Sequence, residues 1–336
     1  MGTAHGVADG MEYRQLGHSG LTVSAIGIGC NAFGARIDAA RTQEVVDAAI
    51  DHGVTFFDTS DTYGFGASEE LLGAALGKRR DDVVVATKFG MDMRGGNGPD
   101  WGARASRRYA RKAVEASLRR LGTDHIDLYQ IHQLDLVTPL EETLEAMNEL
   151  VDEGKVRYLG CSNFAGWEAV DAHWTARDRG LRGFVSAQNE YSLYNRTAED
   201  DLVPALSRLG MSLLPYFPLA YGLLTGKYRR GEVAPEGTRL SAANQSHRLE
   251  GADFDRVEAL ESYAAERGLG ILDVALGGLA AQPRVGSVIA GATSAEQVVA
   301  NVAAGSWRPH GEDAEVLAGL NTVSGAGMRH TSFARR

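Results

Sequence analysis

The sequence predicts an α/β fold in which eight parallel strands close into a (β/α)8 barrel ringed by helices. Three observations carry that prediction. Eight short runs of apolar, β-branched or aromatic residues alternate with stretches of helical period. Three of those runs deliver an ionisable residue at or just past their last position, in Phe56-Phe57-Asp58, Thr87-Lys88-Phe89 and Gln130-Ile131-His132. No low-complexity linker or shift of composition divides the chain. In a closed parallel barrel all strands point their C-terminal ends at one mouth, and chemistry is done there.

The elements follow in order. Residues 1–11 hold Gly, Ala, His and Asp but no basic stretch leading into an apolar one, so they are read as a disordered lead-in and not a signal peptide. Residues 13–15 and 21–24 flank Gly17-His18-Ser19-Gly20, which predicts an N-terminal β-hairpin. Barrel strands are expected at 25–29, 55–58, 83–88, 126–132, 156–161, 184–188, 212–215 and 287–290. Between the first four lie apolar stripes made of Val45, Val46, Ala49 and Ile50, then Leu71, Leu72, Ala75 and Leu76, then Val114, Leu118 and Leu121. Steps of three and four residues put each stripe on one helical face. Further helices are expected at 140–151, 167–177, 200–209, 254–267, 271–281 and 295–302, with a tail helix near 314–320. The expected organisation is one barrel domain over 12–325 and a C-terminal tail over 326–336.

Two connections exceed what a simple link needs. Residues 90–106 are Gly-rich and polar and carry Trp101; residues 219–250 carry Tyr221, Lys227, Tyr228 and Arg239. Long βα loops at the C-terminal face cover ligand sites.

Bulk properties narrow the function. The 336 residues are 44% hydrophobic, enough for a sizeable core, and carry a formal charge of −10. That charge argues against a nucleic-acid or anionic-membrane partner. No apolar run reaches the length of a membrane span. Cys30 and Cys161 are the two cysteines, too few for a disulfide framework; they are expected as small buried hydrophobes in a cytoplasmic protein.

Gly27-Ile28-Gly29-Cys30-Asn31-Ala32 follows a strand and matches the G-x-G-x-x-G/A pattern of dinucleotide-binding turns. That pattern needs a helix to open at once and an acidic residue about 20 positions on. Here Phe33-Gly34-Ala35-Arg36 continues the loop, helical period starts only near Arg41, and Asp58 comes too late. The pattern is read as coincidental. The carboxylate of Asp58, the phenol of Tyr63, the ammonium of Lys88 and the imidazole of His132 form instead an acid/base group, without the spacing or softer donors of a metal site.

These residues resemble the aldo-keto reductase superfamily from Tyr13 to about Val302. The segments that carry the resemblance are Asp58-Thr59-Ser60-Asp61-Thr62-Tyr63-Gly64, Ala86-Thr87-Lys88, Leu121-Gly122-Thr123-Asp124-His125-Ile126-Asp127-Leu128-Tyr129-Gln130-Ile131-His132, Gly160-Cys161-Ser162-Asn163-Phe164, Gln188-Asn189-Glu190-Tyr191-Ser192-Leu193 and Gly291-Ala292-Thr293. The chain is most similar to the long-loop branch that includes bacterial general reductases and β-subunits of voltage-gated potassium channels. The resemblance implies a TIM barrel with long βα loops at the C-terminal face and NADPH-dependent reduction of a small aldehyde or ketone. It implies a catalytic tetrad of Asp58, Tyr63, Lys88 and His132. Tyr63 would protonate the carbonyl oxygen as hydride reaches the carbon. A free phenol, with a pKa of about 10, donates sluggishly, and the Lys88 ammonium is expected to lower that value. Asp58 would hold Lys88, and His132 would give the substrate oxygen a second hydrogen bond. Trp101 joins Tyr63 and His132 as an expected substrate contact, while Asp61 and Asp127 are read as structural.

Cofactor residues carry over position by position. Gly29, Cys30, Asn31 and Asp58 would flank the cofactor. Ser162, Asn163 and Gln188 stand where the family binds the nicotinamide carboxamide, and Tyr216 where it stacks an aromatic ring. Phe217, Pro218 and Leu219 continue the pyrophosphate side. Gly291, Thr293, Gln297 and Asn301 surround the start of the last barrel helix, where unpaired N–H groups favour phosphate. Lys227 and Arg239 would reach the phosphates. Phe217 departs from the small hydroxyl residue common in that motif, and Asn31 from a frequent Trp. Gly291 and Gln297 stand where some relatives grip a 2′-phosphate with Lys and Arg. Arg239 and Thr293 can substitute, so NADPH is expected ahead of NADH. Two other readings stay open: a pyridine-nucleotide-sensing subunit with slow turnover, and a barrel hydrolase or aldolase using Lys88 as a Schiff-base amine. The sequence assigns no oligomeric state.

Overall fold

Residues 10–320 are described by the computed structural model. The expected tail at 326–336, and all of the expected lead-in before Gly10, lie outside the described residues. Strands β1 (Tyr13–Gln15) and β2 (Thr22–Ser24) pair antiparallel as a hairpin, with Tyr13 opposite Ser24. The barrel strands are β3 (Ile26–Gly29), β4 (Phe56–Asp58), β5 (Val84–Phe89), β6 (Ile126–Ile131), β7 (Val156–Ser162), β8 (Ser186–Glu190), β9 (Ser212–Tyr216) and β10 (Val288–Gly291). They form one eight-stranded parallel sheet in the order β10-β3-β4-β5-β6-β7-β8-β9. Leu213 closes the ring: its N–H donates to Arg284 O at 2.7 Å, and its carbonyl accepts from Gly286 N at 2.9 Å. All eight expected strands are present within one or two residues of their expected ends.

Helices α1 (Ala39–Asp51), α2 (Ala67–Leu76), α3 (Arg107–Leu121), α4 (Leu140–Asp152), α5 (Gly166–Asp178) and α6 (Leu202–Leu209) follow β3 to β8 in turn. After β9 come α7 (Ser246–Glu250), α8 (Phe254–Glu266) and α9 (Ile271–Ala280), and after β10 come α10 (Ala295–Gly305) and α11 (Glu312–Gly319). Local chemistry sets their ends. Asp38 caps α1 by accepting from Arg41 N, and Ser106 caps α3 by accepting from Tyr109 N. Gly122 stops α3 with φ +63°, a conformation a side chain resists. Helix α6 starts at Leu202, later than the expected residue 200: Asp200 ends a 3-10 turn at Thr197–Glu199, and the Asp201 carboxylate accepts from Gly166 N at 2.8 Å in place of capping the helix.

The core has three parts. The outer faces of the strands, with Ile28, Phe57 and Tyr129, pack on the stripes of Val45, Leu72, Leu118 and Met147. Inside, hairpin residues Leu16, Leu21 and Val23 close the N-terminal end of the barrel against Phe56, Ala86, Leu128, Leu214 and Ile289. The third part corrects the expectation of a long loop at 219–250. That segment holds short 3-10 turns at Ala220–Thr225 and Arg239–Ser241, plus α7. Leu223, Leu224, Tyr228 and Leu240 bury themselves with Phe254, Val257, Leu260 and Val274 of α8 and α9. The apolar residues spaced through this segment have their own partner surface, so it folds as a small satellite core.

Gly27 and Gly29 have a packing role. A Cβ on Gly27 would stand 2.6 Å from the Phe56 ring, and one on Gly29 would stand 3.0 Å from Ile289. The loop after β3 bends through Phe33 and Ile37 before α1 starts at Ala39, so the helix opening of a dinucleotide turn does not occur there. Among the described residues no helix is long and apolar enough to cross a membrane.

Candidate active site

Parallel register brings the ionisable strand ends together. Gly29 pairs with Asp58, Asp58 with Ala86, and Lys88 with Gln130. His132 sits one residue past β6, its N–H held by Phe89 O at 2.7 Å. Lys88 and Asp58 are buried and form an ion pair of 2.7 Å. A buried ammonium is tolerated only when its donors are satisfied. Lys88 Nζ donates to Asp58 Oδ2, to Thr59 O at 2.9 Å and to Tyr63 Oη at 3.4 Å. The other Asp58 oxygen accepts from Gln188 Nε2 at 2.8 Å and Gln130 Nε2 at 3.2 Å. Tyr63, in the turn after β4, is only partly buried and meets the His132 ring edge-on, with centroids 6.1 Å apart.

Burial dominates the electrostatics here. It would drive Lys88 below its ordinary pKa, but Asp58 and Tyr63 together carry it above. His132 is held well below the usual histidine range by burial and then by the Lys88 charge, so its imidazole is neutral at pH 7. For Tyr63 the expectation is corrected. Lys88 does pull the phenol down, but burial outweighs it and the net shift is upward. A phenolate loses more by leaving water than one partner at 3.4 Å returns.

A second buried polar cluster lies behind the first. Asp61 Oδ2 accepts from Asn97 Nδ2 at 2.9 Å, which pins the 90–106 loop. Arg120 donates to Asn97 Oδ1 at 3.1 Å and to Glu69 at 2.6 Å, and Glu69 also accepts from Thr87 Oγ1 at 2.6 Å. Burial, then the Glu69 charge, pushes Asp61 up to about 7 against the pull of Arg120. Asp127 spends its carboxylate on Val85 N and on Arg80 and Arg157.

Most of the other expected site residues line the same side of the barrel. Ser162 Oγ donates to Gln188 O at 2.8 Å. Asn163, with φ +60°, donates to His132 O at 3.0 Å and accepts from Tyr216 Oη at 2.8 Å. Cys30 N donates to Asp58 O at 2.8 Å, and burial pushes the Cys30 thiol well up, which makes it inert. Gly29 pairs with Gly291, beside Asn31. After β9, the Phe217 and Tyr221 rings meet at a tilt of 40° with centroids 4.3 Å apart, and between them in sequence lie the buried Pro218 and the half-buried Leu219. Phe217, Ala220 and Tyr221 have φ of +51°, +46° and +61°, a concentration of backbone strain typical of ligand clamps. The Arg239 guanidinium lies 4.8 Å from the Phe217 centroid, and Arg248 lies 3.8 Å from that of Tyr221. Burial, then the Arg36 charge, holds Arg239 below its ordinary value. Near α10, Thr293 N and Oγ1 both donate to Gln297 Oε1, at 2.8 and 3.1 Å. Asn301 is buried and its Nδ2 has no partner.

Two expected residues stand apart. Trp101 is 68% exposed and stacks under Arg108, and Lys227 is exposed. Among the described residues neither has a hydrogen bond or ring contact with Asp58, Tyr63, Lys88 or His132. The sequence reading missed Gln130, Ser60, Arg36 and Arg248. Gln130 had a signal: it lies two residues before His132, on the same strand face. Arg36, in the loop after β3, and Arg248, in α7, come from separate segments and had none.

The family model for the Aldo/keto reductase family matches residues 25–320. An uncharacterized oxidoreductase of Bacillus subtilis is 38% identical over 86% of this chain and 89% of its own. A probable voltage-gated potassium channel subunit beta of Oryza sativa subsp. japonica is 37% identical over 88% of this chain and 91% of its own. The versiconal hemiacetal acetate reductase of Aspergillus parasiticus is 36% identical over 79% of this chain and 84% of its own.

Proposed function

We propose, from the premise that this chain belongs to the Aldo/keto reductase family, that it reduces an aldehyde or ketone to an alcohol with NADPH. The observation that carries this reading is the buried Lys88, whose one ammonium touches both the Asp58 carboxylate and the Tyr63 phenol, with neutral His132 beside them. When bound, the reduced nicotinamide supplies the hydride. Tyr63, kept protonated by burial, gives its proton to the carbonyl oxygen, and Lys88 stabilises the phenolate that remains. His132 donates a hydrogen bond to the same oxygen. Asp58 keeps Lys88 charged and aimed, and the amides of Gln130 and Gln188 hold Asp58.

The residues around this group fit a nicotinamide dinucleotide. The orphaned Asn301 Nδ2 is a buried donor without a partner, at the helix expected to meet the adenosine. Arg239 and Arg248 lie over the Phe217 and Tyr221 rings, the Arg36 charge acts on Arg239, and among the described residues none of the three forms an ion pair with a carboxylate. Guanidiniums that repel one another and have no carboxylate partner favour a ligand with an additional phosphate, hence NADPH over NADH. The two free, buried cysteines fit a reducing compartment, and we read the protein as cytoplasmic.

The likeness to the rice channel subunit supports a second reading, a nucleotide-sensing subunit that turns over slowly. Following NADPH oxidation against a panel of aldehydes, ketones, sugars and quinones separates the two. Sustained multiple turnover with any carbonyl supports the reductase. Tight nucleotide binding with a single slow turnover supports the sensor, and no nucleotide binding sinks both.

A further inference from the structure

Ser60 lies two residues past Asp58 and is fully buried. Its Oγ stands 3.1 Å from His132 Nδ1, 3.0 Å from Thr62 Oγ1 and 3.3 Å from Asp61 Oδ1, and it accepts from Thr62 N at 3.3 Å. A hydroxyl has one proton to give. Neutral imidazole also has one N–H, on one of two nitrogens, and the partner of one nitrogen decides the state of the other. If Nδ1 carried the proton, His132 would donate to Ser60 and Nε2 would be a bare lone pair. If Ser60 donates to Nδ1, the ring proton sits on Nε2.

We propose that Ser60 is a positioning residue whose hydroxyl donates to His132 Nδ1 and so fixes the imidazole as the Nε2–H tautomer, the form able to donate to a carbonyl oxygen. Three details favour this direction. Thr62 Oγ1 can itself donate to Ser60 Oγ, which leaves the Ser60 proton for another partner. Asp61 Oδ1 is the longer contact, at 3.3 Å against 3.1 Å to His132 Nδ1. Burial and Lys88 keep the ring from holding two protons, so a choice of tautomer is forced. Ser60 acts through His132 and need not touch the substrate.

The inference rests on the reading of His132 as a donor to the substrate oxygen, and its test is independent of turnover. Long-range 1H–15N NMR of the full chain, with His132 assigned through a His132→Gln variant, reads the tautomer directly. Wild type is expected to show a single Nε2–H tautomer with Nδ1 accepting a hydrogen bond; an Nδ1–H ring overturns the proposal. In Ser60→Ala the Nδ1 resonance should move to the position of an unbonded acceptor. Turnover of a generic aldehyde should fall about tenfold, the worth of one hydrogen bond, at unchanged NADPH affinity. Ser60→Thr, which keeps the hydroxyl, should restore both. An unchanged Nδ1 resonance in Ser60→Ala overturns the proposal whatever the activity. A wild-type protein with the expected tautomer but no carbonyl reduction would instead overturn the functional reading alone.

Discussion

At the floor of the site the Lys88 ammonium and the Asp58 carboxylate are shut away from water, held by Tyr63, Thr59, Gln130 and Gln188. At the rim, Arg239 and Arg248 lie over the Phe217 and Tyr221 rings within reach of the Arg36 charge, with no carboxylate paired to the three among the described residues. The two regions hold positive charge by different physics. The floor offsets a large desolvation cost with a complete set of bonds made when the chain folds. The rim leaves Arg239 and Arg248 half-buried against aromatic faces, with burial holding Arg239 below its ordinary value until an anion partner arrives. Damage to the floor should therefore appear in chemistry and stability, and damage to the rim in nucleotide affinity alone.

The largest effect belongs to Tyr63→Phe. If Tyr63 is the proton donor as proposed, its loss should lower turnover by about 10²–10⁴-fold while NADPH affinity, titrated by fluorescence quenching, barely moves. Near-normal turnover would take the proton donor out of the floor. Next comes Lys88→Met, which leaves Asp58 buried without its counter-ion. Unfolding in guanidinium should show a loss of about 3–5 kcal/mol, and a loss under about 1 would mean that the floor does not depend on its ion pair.

Asp61 tests burial from the other side. Its folded pKa of about 7 lies above the ordinary carboxylate value of 3.8. The stability tied to its neutral form is complete below that ordinary value and is lost as pH rises through about 7. Asp61→Asn, neutral throughout, should thus gain on wild type as pH rises. Thermal unfolding should show the gap widening by roughly 2–4 kcal/mol between about pH 4.5 and pH 8. A constant gap would mean that Asp61 titrates normally. The smallest effect is at the rim. Arg239→Ala should weaken NADPH by about 1.5–3 kcal/mol and NADH hardly at all. Equal losses would assign Arg239 to the pyrophosphate or to the loop, and the preference for NADPH would lose its physical support.

Period and propensity determined the barrel, because they are local. Alternation of strand-like runs with helical stripes needs no partner to be read, and parallel strands ending on Asp58, Lys88 and His132 converge wherever such a barrel closes. Even Gln130 was within reach, two residues from His132 on one face. Tertiary structure alone decided the rest. The Gln188–Asp58 and Ser60–His132 bonds span 130 and 72 residues, and no local pattern encodes which distant side chains meet. The fold of 219–250 depended on a surface that α8 and α9 offer, and Trp101 and Lys227 came to lie on the exposed surface, without a bond to Asp58, Tyr63, Lys88 or His132 among the described residues. The sequence placed a cation beside Tyr63 and so predicted a lowered pKa, but desolvation set the sign, and it exists only once the chain has closed around the phenol.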